Sequence, residues 1–254
     1  MGYAGKMKPG KTFRKLFDMN PFLTAIWSDL ILLSYAVPDE VLAPYLPPGL
    51  ELDRWEGSAW CSLVAFNFEQ TRVLGWSVPV PRTLCDFPEF NLRFYARQGD
   101  RRGVVFVREL APSPIVCGLA KLLYNEPYTA VPLTCRITEI GERRRVRYDF
   151  TVDGQAQMVA ATGLGKAVEP PEDSFANWVK EQEAGFNLSR GGVMTSFRVW
   201  HPTWRLYPIE DYQMKIGFAH LYGPQWDFLQ NRLPDSVVLA EGSQIKIYPN
   251  EARE

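Results

Sequence analysis

Three polar side chains alternate with apolar ones between residues 88 and 95, in the stretch P-E-F-N-L-R-F-Y. The polar positions are Glu89, Asn91 and Arg93. If the stretch is a strand, an acid, an amide and a guanidinium share one face, because successive side chains point to opposite sides. That face either contacts water, as in a half-exposed antiparallel strand, or lines an interior where glutamate and arginine balance each other's charge.

An interior row of this kind has the groups needed for acid-base chemistry on a small organic acid. A guanidinium such as that of Arg93 binds a carboxylate through paired hydrogen bonds, and a buried glutamate such as Glu89 has a perturbed pKa suited to proton transfer. A buried Glu-Arg pair is also compatible with a purely structural role. On the first interpretation Glu89 is the candidate catalytic residue, and Asn91 and Arg93 are candidate substrate-binding residues.

Two other stretches add candidates for substrate binding. The apolar run 104–110 contains Arg108 and Glu109, which we expect to form a second ionic pair beside the first. His201 lies in the aromatic stretch W-H-P-T-W-R-L-Y-P, where it is either a proton carrier, a ligand-binding group or a hydrogen-bonded residue at a strand end. The last alternative is favoured, and Arg108 and His201 are both retained as candidates.

Common catalytic and metal-binding motifs are missing from the sequence. It has no G-x-S-x-G elbow, no H-E-x-x-H helix and no dinucleotide-binding fingerprint, which removes the usual support for hydrolase, metalloprotease and dehydrogenase activity. The four cysteines form no C-x-x-C pair. We therefore predict no metal site and no cofactor, and expect reduced cysteines in a cytoplasmic protein.

The charge balance excludes partners that require a strongly charged surface. The chain has 28 basic and 29 acidic residues and a formal net charge of -1, so nucleic acid and anionic membranes are not expected partners. The longest apolar run, 30–37, is too short to span a bilayer, which needs about 20 residues. Residues 1–19 are expected to form a flexible basic tail. Whether the chain forms a homo-oligomer is left open.

Residues 20–254 are predicted to form a single domain of the α+β class, mainly β and antiparallel, with a few covering helices. Alternating or apolar runs predict most of the strands, and Asp153-Gly154 between two such runs is a strong hairpin signal. The proline-rich segment 71–88 is predicted to be a long loop that acts as a lid. Helices are predicted over 114–124, 172–183 and 209–221.

Several stretches in a fixed order carry a family resemblance. They are W-S-D-L-I-L-L-S-Y-A-V-P-D-E-V-L, L-P-P-G-L-E-L-D-R-W-E-G-S-A-W-C-S-L-V-A-F, E-F-N-L-R-F-Y, G-V-V-F, N-E-P-Y and H-P-T-W-R-L-Y-P. Together they resemble the YqjF-like family of uncharacterised bacterial proteins, over the region 20–250. That family is related in fold to acetoacetate decarboxylase, so the resemblance implies an antiparallel, cone-shaped β-barrel around a small-molecule cavity.

The resemblance also bears on the site. It implies that Glu89 lies on a cavity-lining strand, where the decarboxylase also has a glutamate. The decarboxylase forms a Schiff base through a lysine in a Pro-Lys-Lys motif, whereas the comparable stretch 125–129 has Tyr128 and a threonine. An imine requires an amine, so Schiff-base decarboxylation is predicted to be absent. Tyr128 becomes a candidate substrate-binding residue, and Lys180 is interpreted as part of a charged helix.

The sequence thus favours a cavity that binds a small organic carboxylate or carbonyl compound. It does not decide between a lyase-type enzyme that uses acid-base chemistry and a protein that only binds. A third alternative is a structural or protein-interaction module that contacts its partner through exposed aromatic residues such as Trp76, Trp178 and Trp226.

Overall fold

The computed structural model describes residues 20–73, 84–124, 127–188 and 191–249. The described residues are mainly strands, arranged in a large sheet of eleven strands and a small sheet of four. The strands are β1 Leu23–Val37, β2 Glu51–Leu52, β3 Arg54–Trp55, β4 Ser58–Val73, β5 Phe87–Gln98, β6 Arg101–Ala111, β7 Tyr128–Ala130, β8 Leu133–Ile140, β9 Arg143–Val152, β10 Gln155–Leu164, β11 Ala184–Leu188, β12 Met194–Trp200, β13 Leu206–Tyr207, β14 Ile209–Lys215 and β15 Ser236–Tyr248. The predicted mainly-β class is therefore confirmed.

The helices are few and short. They are α1 Asp39–Leu42, α2 Pro114–Tyr124, α3 Phe175–Lys180 and α4 Phe218–Tyr222, with 3₁₀ turns at Ala43–Tyr45 and Pro224–Leu229. None of the helices in the described ranges is long and apolar enough to cross a membrane. The helix α2 has the predicted bounds, and its start is stabilised by the Ser113 hydroxyl, which accepts a hydrogen bond from the backbone N–H of Val116.

Seven strands of the large sheet are paired in a cycle. β5 pairs with β4, β4 with β1, β1 with β15, β15 with β12, β12 with β11 and β11 with β6. β6 then pairs with β5, so the order returns to the strand where it began. All of these pairings are antiparallel except that of β6 with β11, which is parallel. The short strands β2, β3, β7 and β13 attach to this cycle at its members.

The large sheet is buried on both faces. One face packs against the small sheet, formed by β14, β10, β9 and β8, and we call the apolar residues between them the intersheet core. The opposite face has its own apolar cluster, which we call the second core. Its members include Leu32, Val64, Phe66, Tyr95, Val104, Trp178, Trp204, Val238 and Ile245. The middle of β5 is therefore buried on both faces, whereas Arg97 near its end is exposed.

Two of the predicted elements are wrong in type or extent. The predicted helix 209–221 is a strand, β14, followed by the short helix α4. The reason is visible in the burial pattern, because Tyr212 and Met214 are half-buried while Asp211 and Gln213 are exposed, which is the period of a strand. The predicted helix 172–183 is limited to α3, and the strand β11 begins at Ala184.

The predicted Asp153-Gly154 hairpin is confirmed. Asp153 and Gly154 join β9 to β10, and Glu56 and Gly57 join β3 to β4 in the same way, with positive φ at both positions of each turn. This is the backbone that a tight two-residue hairpin requires. The strand β2, which precedes β3, pairs with β5.

Candidate functional site

The row of polar residues on β5 is buried. Glu89 is 2 % exposed, Asn91 is 1 % exposed and Arg93 is 8 % exposed. They lie on the same face as Tyr95, which belongs to the second core, while Phe90 packs on the Phe150 ring of the small sheet with a centroid separation of 4.4 Å. The polar row therefore does not face water, and the charged groups need partners within the protein.

Glu89 has two hydrogen-bond donors on its carboxylate. The Asn91 amide donates to Oε1 at 2.9 Å, and the Tyr128 hydroxyl donates to Oε2 at 2.5 Å. Burial raises the pKa of Glu89 to about 7, although the hydrogen bonds from Tyr128 and Asn91 and the charge of Arg93 all act to lower it. Because desolvation dominates over these favourable contacts, the carboxyl group can gain or lose a proton near neutral pH.

Two polar atoms beside Glu89 have no hydrogen-bond partner among the described residues. They are Oδ1 of Asn91 and Nε of Arg93, and both are fully buried. Unpaired buried polar atoms are costly, so native proteins nearly always provide a partner from the chain, from water or from a ligand. An acceptor and a donor on adjacent positions of one face are thus available to a bound polar molecule.

The predicted ionic pair of Arg108 with Glu109 does not form. These residues are adjacent on β6, so their side chains lie on opposite faces of the sheet. Arg108 lies toward the intersheet core and donates to the Leu221 carbonyl at 2.6 Å, whereas Glu109 is paired in register with Asn91 and is 2 % exposed. The structure therefore separates Arg108 from the other candidates and adds Glu109 to their face.

His201 lies directly after β12, at the end of that strand. Its ring stacks on Trp204 of the second core, with centroids 4.2 Å apart, and its Nδ1 is 2.9 Å from the Pro202 carbonyl oxygen. Burial lowers the pKa of His201, and the charges of Lys180 and Arg93 act in the same direction, whereas the Pro202 carbonyl and the charge of Glu181 act to raise it. The contacts of His201 are those of a hydrogen-bonded residue at a strand end, which is the alternative that the sequence favours.

A buried chain of hydroxyl groups continues the row beyond Arg93. The Ser34 and Ser62 hydroxyls are 2.7 Å apart, and the Ser62 and Tyr95 hydroxyls are 2.6 Å apart. Arg93 lies near the Tyr95 ring, and its charge and hydrogen bond lower the pKa of that tyrosine, against the larger raising effect of burial. Sequence reasoning missed these residues, although Ser34 and Ser62 are polar residues within otherwise apolar strands.

Lys180 lies in the predicted helix, as the last residue of α3. Its side chain nevertheless has no exposed surface, which the interpretation as part of a charged helix did not indicate. It forms an ion pair with Glu181 at the end of α3, directly after Trp178 and Val179 of the second core. The signal available in the sequence was the apolar run F-A-N-W-V before the lysine, which leaves this end of the helix little polar surface.

Two cavities lined by described residues lie elsewhere. One of about 800 Å³ lies between the end of β14 and the segment 230–233, and one of about 340 Å³ lies beside β1 and Gln244. Neither is lined by Glu89 or Arg93. The central part of the predicted lid, 74–83, and residues 125–126 before Tyr128 lie outside the described residues.

Potential metal ligands do not gather anywhere in the described part of the chain, where no group of three or more His, Cys, Asp or Glu could hold an ion. The four cysteines are free thiols, and Cys61 and Cys117 are buried. The chemistry available at β5 is therefore that of a carboxyl group, a guanidinium, an amide and hydroxyl groups.

A sequence profile for the DUF2071 family, described as an uncharacterized conserved protein, matches residues 24–244. The chain belongs to this family. A curated relative, the uncharacterized protein YqjF of Bacillus subtilis (strain 168), is 29 % identical over 102 residues. That match spans 40 % of the present chain and 41 % of YqjF, or about two fifths of each protein.

Solved structures with the same fold include enzymes. The enduracididine biosynthesis enzyme MppR, in its complex with pyruvate, is similar with a TM-score of 0.59 and 15 % identity, over 90 % of this chain and 88 % of MppR. An acetoacetate decarboxylase-like enzyme from Sphingomonas wittichii RW1 has a TM-score of 0.58 and 14 % sequence identity, over the whole of both chains. Acetoacetate decarboxylase from Legionella pneumophila has a TM-score of 0.58 and 14 % identity, over 90 % of this chain and 85 % of the decarboxylase. These likenesses establish an acetoacetate decarboxylase-like fold.

Proposed function

We propose that this DUF2071 protein binds a small organic carboxylate or carbonyl compound inside a cone-shaped barrel, beside Glu89. The observation that carries the proposal is the buried polar row, in which a glutamate with a pKa of about 7 lies next to an arginine and two unpaired polar atoms. The cyclic pairing of the seven strands supports a barrel, with the second core and the polar row on its inward side.

The chemistry proposed for this site is proton transfer next to a carbonyl group. The Arg93 guanidinium binds the carboxylate of the ligand, and the unpaired Asn91 Oδ1 accepts a hydrogen bond from a hydroxyl or enol group. Glu89 then removes or delivers a proton, since a carboxyl group with a pKa near the working pH serves as either acid or base. Removal of the proton next to the carbonyl gives an enolate and a protonated Glu89. Loss of a β-hydroxyl group as water, with the proton returned by Glu89, then completes a lyase-type elimination that requires neither an imine nor a bound cofactor.

The structural relatives support the choice of ligand class. MppR, which has the same fold, was solved in complex with pyruvate and with the condensation product of pyruvate and imidazole 4-carboxaldehyde. A 2-oxo acid contains both the carboxylate that Arg93 fits and the carbonyl that a neighbouring acid would polarise. Small oxo acids are therefore the first compounds to test.

The alternative, a protein-interaction module with exposed aromatic residues, loses two of its three anchors. Trp178 is 8 % exposed and Trp226 has no exposed surface. Trp76 lies outside the described residues. Two tryptophans that are packed inside the protein cannot contact a partner, so neither of them supports this alternative.

The proposal is tested by a thermal-shift screen of 2-oxo, 3-oxo and simple carboxylic acids. A ligand at 100 times its dissociation constant stabilises the folded state by about 2.7 kcal/mol, which is readily measured. A hit is then repeated with Glu89→Gln and with the control Glu40→Gln, which alters an exposed residue. We expect the Glu89 variant to bind with loss of turnover and the control to match the wild type. If no acid stabilises the protein, the binding proposal is wrong.

A further inference from the structure

Lys180 carries a buried charge whose ion-pair partner is only partly buried. Its side chain is fully buried, yet its ion-pair partner Glu181 is the next residue in the chain and is itself 29 % exposed. A lysine at this point could keep the same pair at the surface, where exposure would remove the cost of burying the ammonium group. The buried position therefore indicates a function for the charge inside the protein.

Lys180 and Arg93 lie on two elements, α3 and β5, that meet at the Tyr95 and Trp178 rings. The Arg93 guanidinium carbon is 6.0 Å from the centroid of the Tyr95 ring, and Trp178 precedes Lys180 by two residues. The charges of Lys180 and Arg93 both act on the His201 imidazole, and the charge of Glu181 opposes them. His201 stacks on Trp204, and Trp178 packs on the Tyr95 ring with centroids 4.8 Å apart. Two cations thus approach one part of the second core from two different elements.

Both cations have hydrogen-bond donors to spare. A lysine ammonium has three N–H groups, and among the described residues only the Glu181 carboxylate accepts from Lys180. The Nε of Arg93 is buried without a partner. Nearby, Oε1 of Gln182 is also buried and unpaired, while the amide nitrogen of that residue donates to the Trp178 carbonyl at 2.8 Å.

We infer that Lys180 is a second anion-binding group of the Glu89 site and that the ligand is a short dicarboxylate or oxo-dicarboxylate. Arg93 holds one carboxylate and Lys180 holds the other. This inference rests on the proposed function, and it narrows the ligand from any small carboxylate to one with two anionic ends. The ion pair with Glu181 also assigns Lys180 a charged role, because an ammonium group has no lone pair with which to attack a carbonyl.

The first test needs no variant. Binding of pyruvate and acetate, with one carboxylate, is compared by calorimetry with that of malonate, succinate, oxaloacetate and 2-oxoglutarate, with two. We expect at least one dicarboxylate to bind about tenfold more tightly than the best monocarboxylate, because one additional hydrogen bond between charged groups raises the affinity by about that factor. If monocarboxylates bind and the dicarboxylates bind no better, the inference is wrong while the proposed function stands. If neither class binds, the proposed function is wrong as well.

The second test assigns the effect to Lys180. The variant Lys180→Met keeps the length and apolar body of the side chain and removes its charge, and Lys215→Met removes the charge of an exposed lysine as a matched control. We expect Lys180→Met to weaken dicarboxylate binding about tenfold or more and to leave monocarboxylate binding within twofold of wild type. An equal loss for both classes contradicts the inference.

A third measurement tests for covalent chemistry at the same lysine. It uses the wild-type protein, so it does not depend on whether the Lys180→Met variant folds. The wild-type protein is incubated with oxaloacetate or 2-oxoglutarate and borohydride and then analysed by intact mass and peptide mapping. We expect no stable adduct on Lys180. An adduct on that residue overturns the ionic role assigned here.

Discussion

The Tyr128 hydroxyl donates a hydrogen bond to Oε2 of Glu89, which joins two residues from β7 and β5 that are separated by 39 positions in the chain. β7 lies beside β6 as a parallel strand, and Tyr128 is in register with Glu109. A glutamate that is 2 % exposed is thus reached by a donor from a third strand, because β6 lies between the strands that carry the two residues.

Replacement of Tyr128 by Phe is expected to raise the pKa of Glu89 above its wild-type value of about 7. The hydroxyl stabilises the ionised carboxylate. Its loss should raise the pKa of Glu89 by about one unit or more, because a hydrogen bond to a charged group contributes a free energy of that size. The measurement is a carboxyl-carbon NMR titration of the protein labelled at glutamate. Tyr45→Phe is the control, since that hydroxyl accepts from Gln225 and does not contact Glu89. An unchanged titration in Tyr128→Phe would exclude the tyrosine as a tuning group.

Glu89 is expected to make the folded state less stable as the pH rises from about 4.5 to about 7. Its folded pKa of about 7 is above the ordinary value of 4.5, so the folded protein binds the proton more tightly over this interval. The stabilisation is complete below the ordinary pKa of 4.5 and is lost as the pH rises through the pKa of the folded state. The free energy of unfolding falls by about 3 kcal/mol over this interval.

The measurement for this prediction is the free energy of unfolding in urea, for wild type and for Glu89→Gln, from pH 4.5 to pH 8. Because glutamine does not titrate, the difference between the two proteins isolates the carboxyl group. We expect the wild type to lose stability relative to the variant toward pH 8. A difference that is constant over this range means that Glu89 titrates normally.

The cyclic strand pairing is expected to depend on Gly103. This residue pairs with Ala96 of β5 on one side and with Ala184 of β11 on the other, and a Cβ at its position would lie 2.4 Å from the Ala184 carbonyl oxygen. Gly103→Ala should therefore destabilise the protein by about 1–3 kcal/mol, as overpacking of a filled site does. The readout is the urea midpoint.

Gly118→Ala is the matched control for this substitution. Gly118 lies in α2, and a Cβ added there meets nothing within 4 Å. Alanine is the better helix former, so this variant should be as stable as wild type or more stable by up to about 1 kcal/mol. If the two variants unfold at the same urea concentration, close contact at Gly103 does not limit the pairing of β6 with β11.

The sequence by itself determined which side chains of β5 share a face. The alternation of Glu89, Asn91 and Arg93 with apolar residues requires this in any strand, and the strand β5 is present. The strands between residues 133 and 164 were also determined locally. Their alternating side chains indicate strands, and the Asp-Gly turn sets the register in which β9 pairs with β10. The segment 209–215 shows the limit of such reasoning, because its half-buried alternate positions were interpreted as a helix.

Tertiary structure alone decided that the polar face of β5 is buried and what lies opposite it. The alternation of polar and apolar residues is the same whether the polar face contacts water or protein. Only the pairing of β5 with β4 and β6 and the packing of the second core decide between the two. The same reason applies to Arg108, Lys180 and His201. Each side chain is placed by contacts between residues far apart in the chain, which local sequence spacing does not encode.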